Sequence, residues 1–249
     1  MDLKNKTCLI TGGSMGIGAA AAIALAEGGA DVAIVCRNLG AEAKETERRV
    51  ASLGRRCVSI GADVARPEQA RRCVEETLGR LGAIDVLIHS AGGGVPGRLE
   101  EITPEMWYGA FDVHVHALFH LCRAVLPGMK RRKEGAIILI SSAAGIRALR
   151  TNIAYQVAKG ALPQFARALA WELADDNIRV NCVAPGVIRT RFHAAMTPEQ
   201  HKLNLENRIP LHREGTALQV AGLIRELVSN DYITGETVSI DGGLTMRIC

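Results

Sequence analysis

The sequence predicts an α/β protein, a single-domain Rossmann-type doubly wound parallel sheet of about seven strands with helices on both faces. Three observations carry this. Short apolar runs rich in Val and Ile alternate with longer helical stretches along the whole chain. No linker or low-complexity stretch divides it, and 249 residues with 48% hydrophobic content suffice for one sizeable core. The glycines and polar residues that interrupt the pattern follow strands, which places them together at the carboxyl edge of such a sheet.

The first strand, 7–11, leads into Gly12, Gly13, Ser14, Met15, Gly16, Ile17 and Gly18, and then into an alanine-rich helix over 17–28. Strand, glycine turn and helix together point to a dinucleotide site, with a plain strand–helix turn as the alternative: glycine lets the backbone approach a pyrophosphate, and the N–H groups of the helix start meet its charge. The spacing is Gly-x-x-x-Gly-x-Gly rather than Gly-x-Gly-x-x-Gly. The second strand, 32–35, is followed by Cys36, Arg37 and Asn38, with no acidic residue to bind a ribose 2′-OH. The planar guanidinium of Arg37 suits a 2′-phosphate, so the cofactor expected is NADP(H) in preference to NAD(H). A solvated surface charge is the alternative for Arg37.

A helix over 41–53 and a third strand, 56–60, precede Asp63 and Val64. Asp63 suits either an adenine amino group or the cap of a turn. After a helix over 67–81, the strand 84–89 ends at Ser90, Ala91 and Gly92, and one long helix is expected over 104–132. The strand 135–141 delivers Ser142. Tyr155 and Lys159 then stand four apart on a helix over 153–175, on one face. An ammonium beside a phenol favours the phenolate and lowers a pKa that is ordinarily about 10. A phenol so tuned can exchange a proton with an alcohol or carbonyl oxygen, which the Ser142 hydroxyl can also hydrogen-bond. The strand 178–183 leads to Pro185 and Gly186, and the chain closes with a helix over 215–229 and a strand over 236–240. Residues 191–211 break the alternation and read as a substrate lid, with Phe192, Met196 and Leu203 as candidate substrate contacts; a surface excursion with a short helix is the alternative.

These residues resemble the short-chain dehydrogenase/reductase family along nearly the whole chain. The landmarks are Thr11, Gly12, Gly16 and Gly18; Asp63; Ala91 and Gly92; Ser142, Tyr155 and Lys159; Asn181; Pro185 and Gly186; and Ile233, Thr234 and Gly235. The resemblance implies that Ser142 polarises a substrate carbonyl, Tyr155 is the general acid/base, and Lys159 binds the nicotinamide ribose. It also implies that Thr190 contacts the carboxamide and that Ile188 lies beside the nicotinamide ring. The family interconverts ketones and secondary alcohols; its substrates include 3-oxoacyl thioesters, sugars, polyols, steroids and xenobiotic ketones.

Two positions depart from the family pattern. His89 and Ser90 stand where two asparagines are usual, and His114 stands where an asparagine holds a relay water. A histidine can also bind a water and, at its ordinary pKa of about 6.5, would add a titration. This motivates an alternative, a non-catalytic NADP(H)-binding sensor or scaffold, against which stand the intact Ser142, Tyr155 and Lys159.

The two long helices also imply a homotetramer, by resemblance. Lys130, Arg131, Arg132 and Lys133 read as a solvated helix end or as a dock for an acidic carrier protein, an idea weakened by Asp175 and Asp176 at the family's second basic site. A net charge of +4 and very few aromatics give no nucleic-acid partner. His116 and His120 lack a third ligand, so no metal is expected. The 7 cysteines show no Cys-x-x-Cys pair, and the first residues show no signal peptide. They read as reduced thiols in a cytoplasmic protein. No apolar run reaches the ~20 residues of a membrane span.

Overall fold

The computed structural model describes residues 1–191 and 196–246. Seven parallel strands form the central sheet: β1 (Thr7–Thr11), β2 (Asp31–Cys36), β3 (Cys57–Gly61), β4 (Val86–His89), β5 (Gly135–Ile140), β6 (Ile178–Pro185) and β9 (Thr237–Ile240), in the order β3-β2-β1-β4-β5-β6-β9. β1 pairs with β2 on one side and β4 on the other. The chain reverses its winding there, and a crevice opens at the carboxyl ends of these two strands.

Successive strand residues face opposite sides, so one strand feeds two cores. Leu9, Ala33, Val35 and Leu87 pack with helices α3 (Pro67–Leu81), α5 (Ala117–Arg132) and α6 (Ile153–Leu173). Cys8, Ile10, Ile34 and Ile88 pack on the other face with α1 (Gly16–Glu27), α2 (Ala41–Ser52) and α8 (Ala217–Ser229). Burial on both faces explains why the strands read as continuous apolar runs. Four thiols lie in these cores, Cys8 on one side and Cys73, Cys122 and Cys182 on the other.

The helix expected over 104–132 is interrupted. It runs as α4 (Pro104–Phe111), a π-helical turn (Asp112–His116) and α5. The Val113 carbonyl is bonded by the His89 ring at 3.0 Å, and the wider turn carries His114 inward to complete burial. A π-turn inside an α-helix is a common device for placing a functional side chain. The helix expected from 215 starts at 217, because Gly215–Thr216 (β8) first pairs with Ile188–Arg189 (β7). The segment 191–211 holds a short helix, α7 (Pro198–Leu203), whose Thr197 and Gln200 form a capping box, and a π-turn, Asn204–Arg208. Phe192 and Cys249 lie outside the described residues.

The basic and acidic clusters read separately in the sequence are partners. Lys133 pairs with Asp176 at 2.5 Å and Lys130 with the same carboxylate at 3.4 Å. Arg132 reaches Asp85 at 3.2 Å, so three of the four cations in the run are engaged within the chain.

Candidate active site

The glycine turn lies against the end of β4. Gly12 has φ +69°, and a Cβ there would sit 2.9 Å from the Ser90 carbonyl and the Ala91 nitrogen, so a side chain at this position is excluded. The Thr11 hydroxyl ties the two strands together: it accepts from Ala91 N at 3.2 Å and meets His89 Nδ1 at 2.9 Å. The start of α1 has no side-chain cap and no acidic residue in its first turn, which leaves its N–H donors for an anion. Ser14 is buried, and its carbonyl accepts from Thr46 of α2 at 3.2 Å. These features fit a dinucleotide pyrophosphate.

Around this turn the structure gathers the other expected residues. Arg37 and Asn38 are exposed just past β2, and among the described residues Arg37 forms no salt bridge. Val64 is buried, while Asp63 serves its own turn, accepting from Ala65 N at 3.2 Å. Pro185 closes β6, Gly186 N bonds Ile240 O at 3.0 Å, and Ile188 is buried. The Thr190 side chain would lie 3.6 Å from a Cβ at Gly16. Asn181 lies deeper and braces the sheet, donating to Ile233 O at 2.8 Å and accepting from Glu236 N at 3.1 Å.

Ser142, Tyr155, Lys159 and His114 converge where β5 meets α6. Ser142 hydrogen-bonds the Tyr155 phenol, and its Oγ also accepts from Ala144 N at 3.1 Å. Lys159 Nζ lies 5.8 Å from the centre of the Tyr155 ring and donates to Ile140 O at 2.7 Å. The chain around it is tightly drawn, with the Ser141 hydroxyl donating to Lys159 O at 2.7 Å. The His114 ring meets the Tyr155 ring edge-on at 5.6 Å between centres.

The electrostatics correct two expectations. The Tyr155 pKa is raised, not lowered: burial dominates, with the Ser142 hydrogen bond acting the other way. Burial also lowers Lys159 to about 8, which weakens the charge expected to stabilise a phenolate. His114 does not titrate near 6.5, because burial and the neighbouring Lys159 hold its pKa down at about 2. The Gly93 carbonyl, which can only accept, takes His114 Nε2–H at 3.1 Å, so Nδ1 is an acceptor, and it is buried without a partner among the described residues.

His89, which the sequence marks only as a departure from the family pattern, is a structural part of the site. Its Nε2–H donates to Val113 O and its Nδ1 accepts from Thr11, so it joins the glycine turn to the π-turn that carries His114. Burial lowers its pKa to about 4, so it stays neutral. Thr11 and His89 are 78 residues apart, and no spacing rule would have linked them.

A cavity of about 560 Å³ opens along Arg98, Leu99, Leu149, Arg150, Ile153 and Val157. None of Ser142, Tyr155 and Lys159 lines it. The strand ends locate the chemistry better than cavity volume does. No described helix is long and apolar enough to cross a membrane.

The chain is similar to known oxidoreductases over nearly its full length. A family model described as Enoyl-(Acyl carrier protein) reductase matches residues 12–245. General stress protein 39 of Bacillus subtilis (strain 168) is 36% identical, over 97% of this chain and 85% of that protein. A 3-oxoacyl-(acyl-carrier-protein) reductase of Chlamydia muridarum is 34% identical, over 97% and 98% of the two chains. The solved structure of L-sorbose reductase from Gluconobacter frateurii, complexed with NADPH and L-sorbose, superposes with a TM-score of 0.92 at 31% identity, covering 100% of both chains. With this sheet, this glycine turn and these relatives, the chain belongs to the short-chain dehydrogenase/reductase family and is an oxidoreductase of the class that acts on CH–OH and C=O groups.

Proposed function

We propose that the protein is an NADP(H)-dependent oxidoreductase that interconverts a small-molecule ketone and a secondary alcohol, with Tyr155 as general acid/base. The observation that carries this reading is the meeting of Ser142, Tyr155 and Lys159 at the carboxyl end of β5, beside the glycine turn.

The residues that would hold the cofactor are Gly12, Ser14, Met15, Gly16, Ile17 and Gly18 at the pyrophosphate. Arg37 and Asn38 would take the adenosine ribose, with Asp63 and Val64 by the adenine. Ser90, Ala91 and Gly92, together with Tyr155, Lys159, Pro185, Gly186, Ile188 and Thr190, would line the nicotinamide half. When bound, the cofactor supplies or accepts the hydride. The chain's own residues manage the proton and the oxygen. A raised phenol pKa keeps Tyr155 protonated, which suits donation to a carbonyl oxygen as that oxygen gains charge. The Ser142 hydroxyl, already bonded to the phenol, offers a second hydrogen bond to the same oxygen. Lys159 spends one N–H on Ile140 O and keeps two for the ribose and the phenol. The unpartnered Nδ1 of His114 offers an acceptor for a proton path where the family keeps an asparagine.

NADP(H) over NAD(H) is supported by the unpaired Arg37 and by neighbours solved with NADPH, the sorbose reductase and a metagenomic blue fluorescent protein. Residues 191–211, with α7, serve as the substrate lid. Phe119, Val157 and Trp171 stand exposed on α5 and α6, which supports these helices as the contact of a homotetramer. The free thiols among the described cysteines suit the cytoplasm.

The test is Tyr155→Phe, measured with NADPH against a panel of ketones that includes a 3-oxoacyl ester. Turnover should fall by at least about a thousandfold while NADPH still quenches or shifts in fluorescence as in the wild type. Turnover that survives in the variant overturns the role of Tyr155. Tight NADPH binding with no turnover by the wild type across the panel would favour a cofactor sensor.

A further inference from the structure

We infer that Arg191 is a second cation for the ribose 2′-phosphate of NADP(H), held over that site by Glu42; this rests on the NADP(H) reading above.

The glycine turn contains no Lys or Arg, and Met15 stands at the helix start, 44% exposed. The turn after β2 adds one cation, Arg37. For a pyrophosphate and a 2′-phosphate together, the walls at β1 and β2 therefore supply a single positive side chain. Arg191 comes from elsewhere in the chain. The Thr190 side chain sits over Gly16, which places the next residue above the mouth of the glycine turn. From there Arg191 Nη1 reaches Glu42, in the first turn of α2, across 149 residues of sequence.

Glu42 marks where that guanidinium lies. α2 is tied to the glycine turn by the Thr46–Ser14 hydrogen bond, and Glu42 is one helical turn nearer the crevice. Its carboxylate folds back toward the chain, with Oε2 3.4 Å from where a Cβ on Gly40 would be. It therefore overhangs the short turn that carries Arg37 and Asn38. The carboxylate's hydrogen bond to its own backbone draws the Glu42 pKa down, and Arg191 adds to this. A carboxylate alone at this place would repel a 2′-phosphate. Paired with Arg191 it becomes a support: one edge of the guanidinium binds Glu42, and the remaining donors stay free for a planar anion. NADH carries no charge there and gains little from the arrangement.

The roles of the two partners separate in a binding experiment on the full cofactor-free chain. NADPH and NADH are titrated by nicotinamide fluorescence into the wild type, Arg191→Gln and Glu42→Gln, with thermal unfolding of each to confirm the fold. Arg191→Gln should raise the Kd for NADPH about tenfold and that for NADH less than about twofold. Glu42→Gln should leave NADPH binding unchanged or tighter, because it removes the repelling charge and frees the arginine. An equal loss for both cofactors, or no loss, in Arg191→Gln overturns the inference. So does a Glu42→Gln variant as damaged as Arg191→Gln, which would make the ion pair a structural strap. A wild-type preference for NADPH that is undiminished in Arg191→Gln sinks this inference alone, whereas a wild type without that preference sinks the NADP(H) reading as well.

Discussion

His114 and Gly92 share one space: the imidazole lies so close to the glycine that a methyl group on Gly92 would overlap the ring, and Gly92 has φ +143°. Gly92→Ala should therefore cost about 2–4 kcal/mol, part from overpacking and part from backbone strain. Removing the ring relieves the overlap but not the strain. In a double-mutant cycle by chemical denaturation, Gly92→Ala should cost less in a His114→Ala background, with a coupling of at least about 0.5 kcal/mol. Additive costs would show that the ring moves aside freely.

The neutral His114 makes a prediction about pH. With its pKa at about 2, the imidazole carries no charge change between pH 5 and 8. His114→Asn should keep turnover within about tenfold and leave the shape of the pH–rate profile unchanged in that range. A wild-type limb near pH 6.5 that disappears in the variant would contradict the buried, neutral ring.

Lys159 couples folding to pH. Its pKa falls from 10.5 to about 8 on folding. Below about pH 8 both states hold the proton and the full cost of burying the ammonium is present. Between about 8 and 10.5 the unfolded chain holds more protons, so this group's contribution to stability rises with pH, by up to roughly 1.4 kcal/mol per unit. Buried thiols act in the opposite sense above about pH 9, since unfolding lets them ionise. The difference between Lys159→Met and the wild type isolates the lysine. The variant's stability relative to the wild type should decline as pH rises through this window, and a flat difference would refute the shift.

Glu214 anchors α7. Glu214 is 8% exposed, and its carboxylate bonds Arg189 at 3.2 Å and His201 at 3.0 Å, joining β7 to α7. Glu214→Ala should speed amide hydrogen exchange over residues 198–203 and cost about 1–3 kcal/mol. Unchanged exchange there would mean that packing alone holds α7.

The fold was legible because each parallel strand is buried on both faces, so strands such as 135–140 read as unbroken apolar runs. The glycine turn and the pair Tyr155 and Lys159 were legible because both depend on local spacing. What escaped depends on contacts distant in sequence. The π-turn at 112–116 answers to His89, which no helical period reports. The β7–β8 pair is two residues long on each side, too short for an alternation pattern. Arg191 and Glu42 meet across 149 residues of sequence. The direction of the Tyr155 shift was missed because spacing shows a nearby charge and is silent on burial.

The core thiols give the molecule a chemical clock for its own opening. Burial pushes Cys73 and Cys122 up to about 12 and Cys182 to about 11, and Cys8 higher still, so at neutral pH none offers a thiolate to an alkylating reagent. Labelling then proceeds only through transient exposure. Cys8 reports the layer of α1 and α8, and Cys73 and Cys122 report the layer of α3 and α5. The relative labelling rates of these residues, read by mass spectrometry, would tell which side of the sheet lets go first.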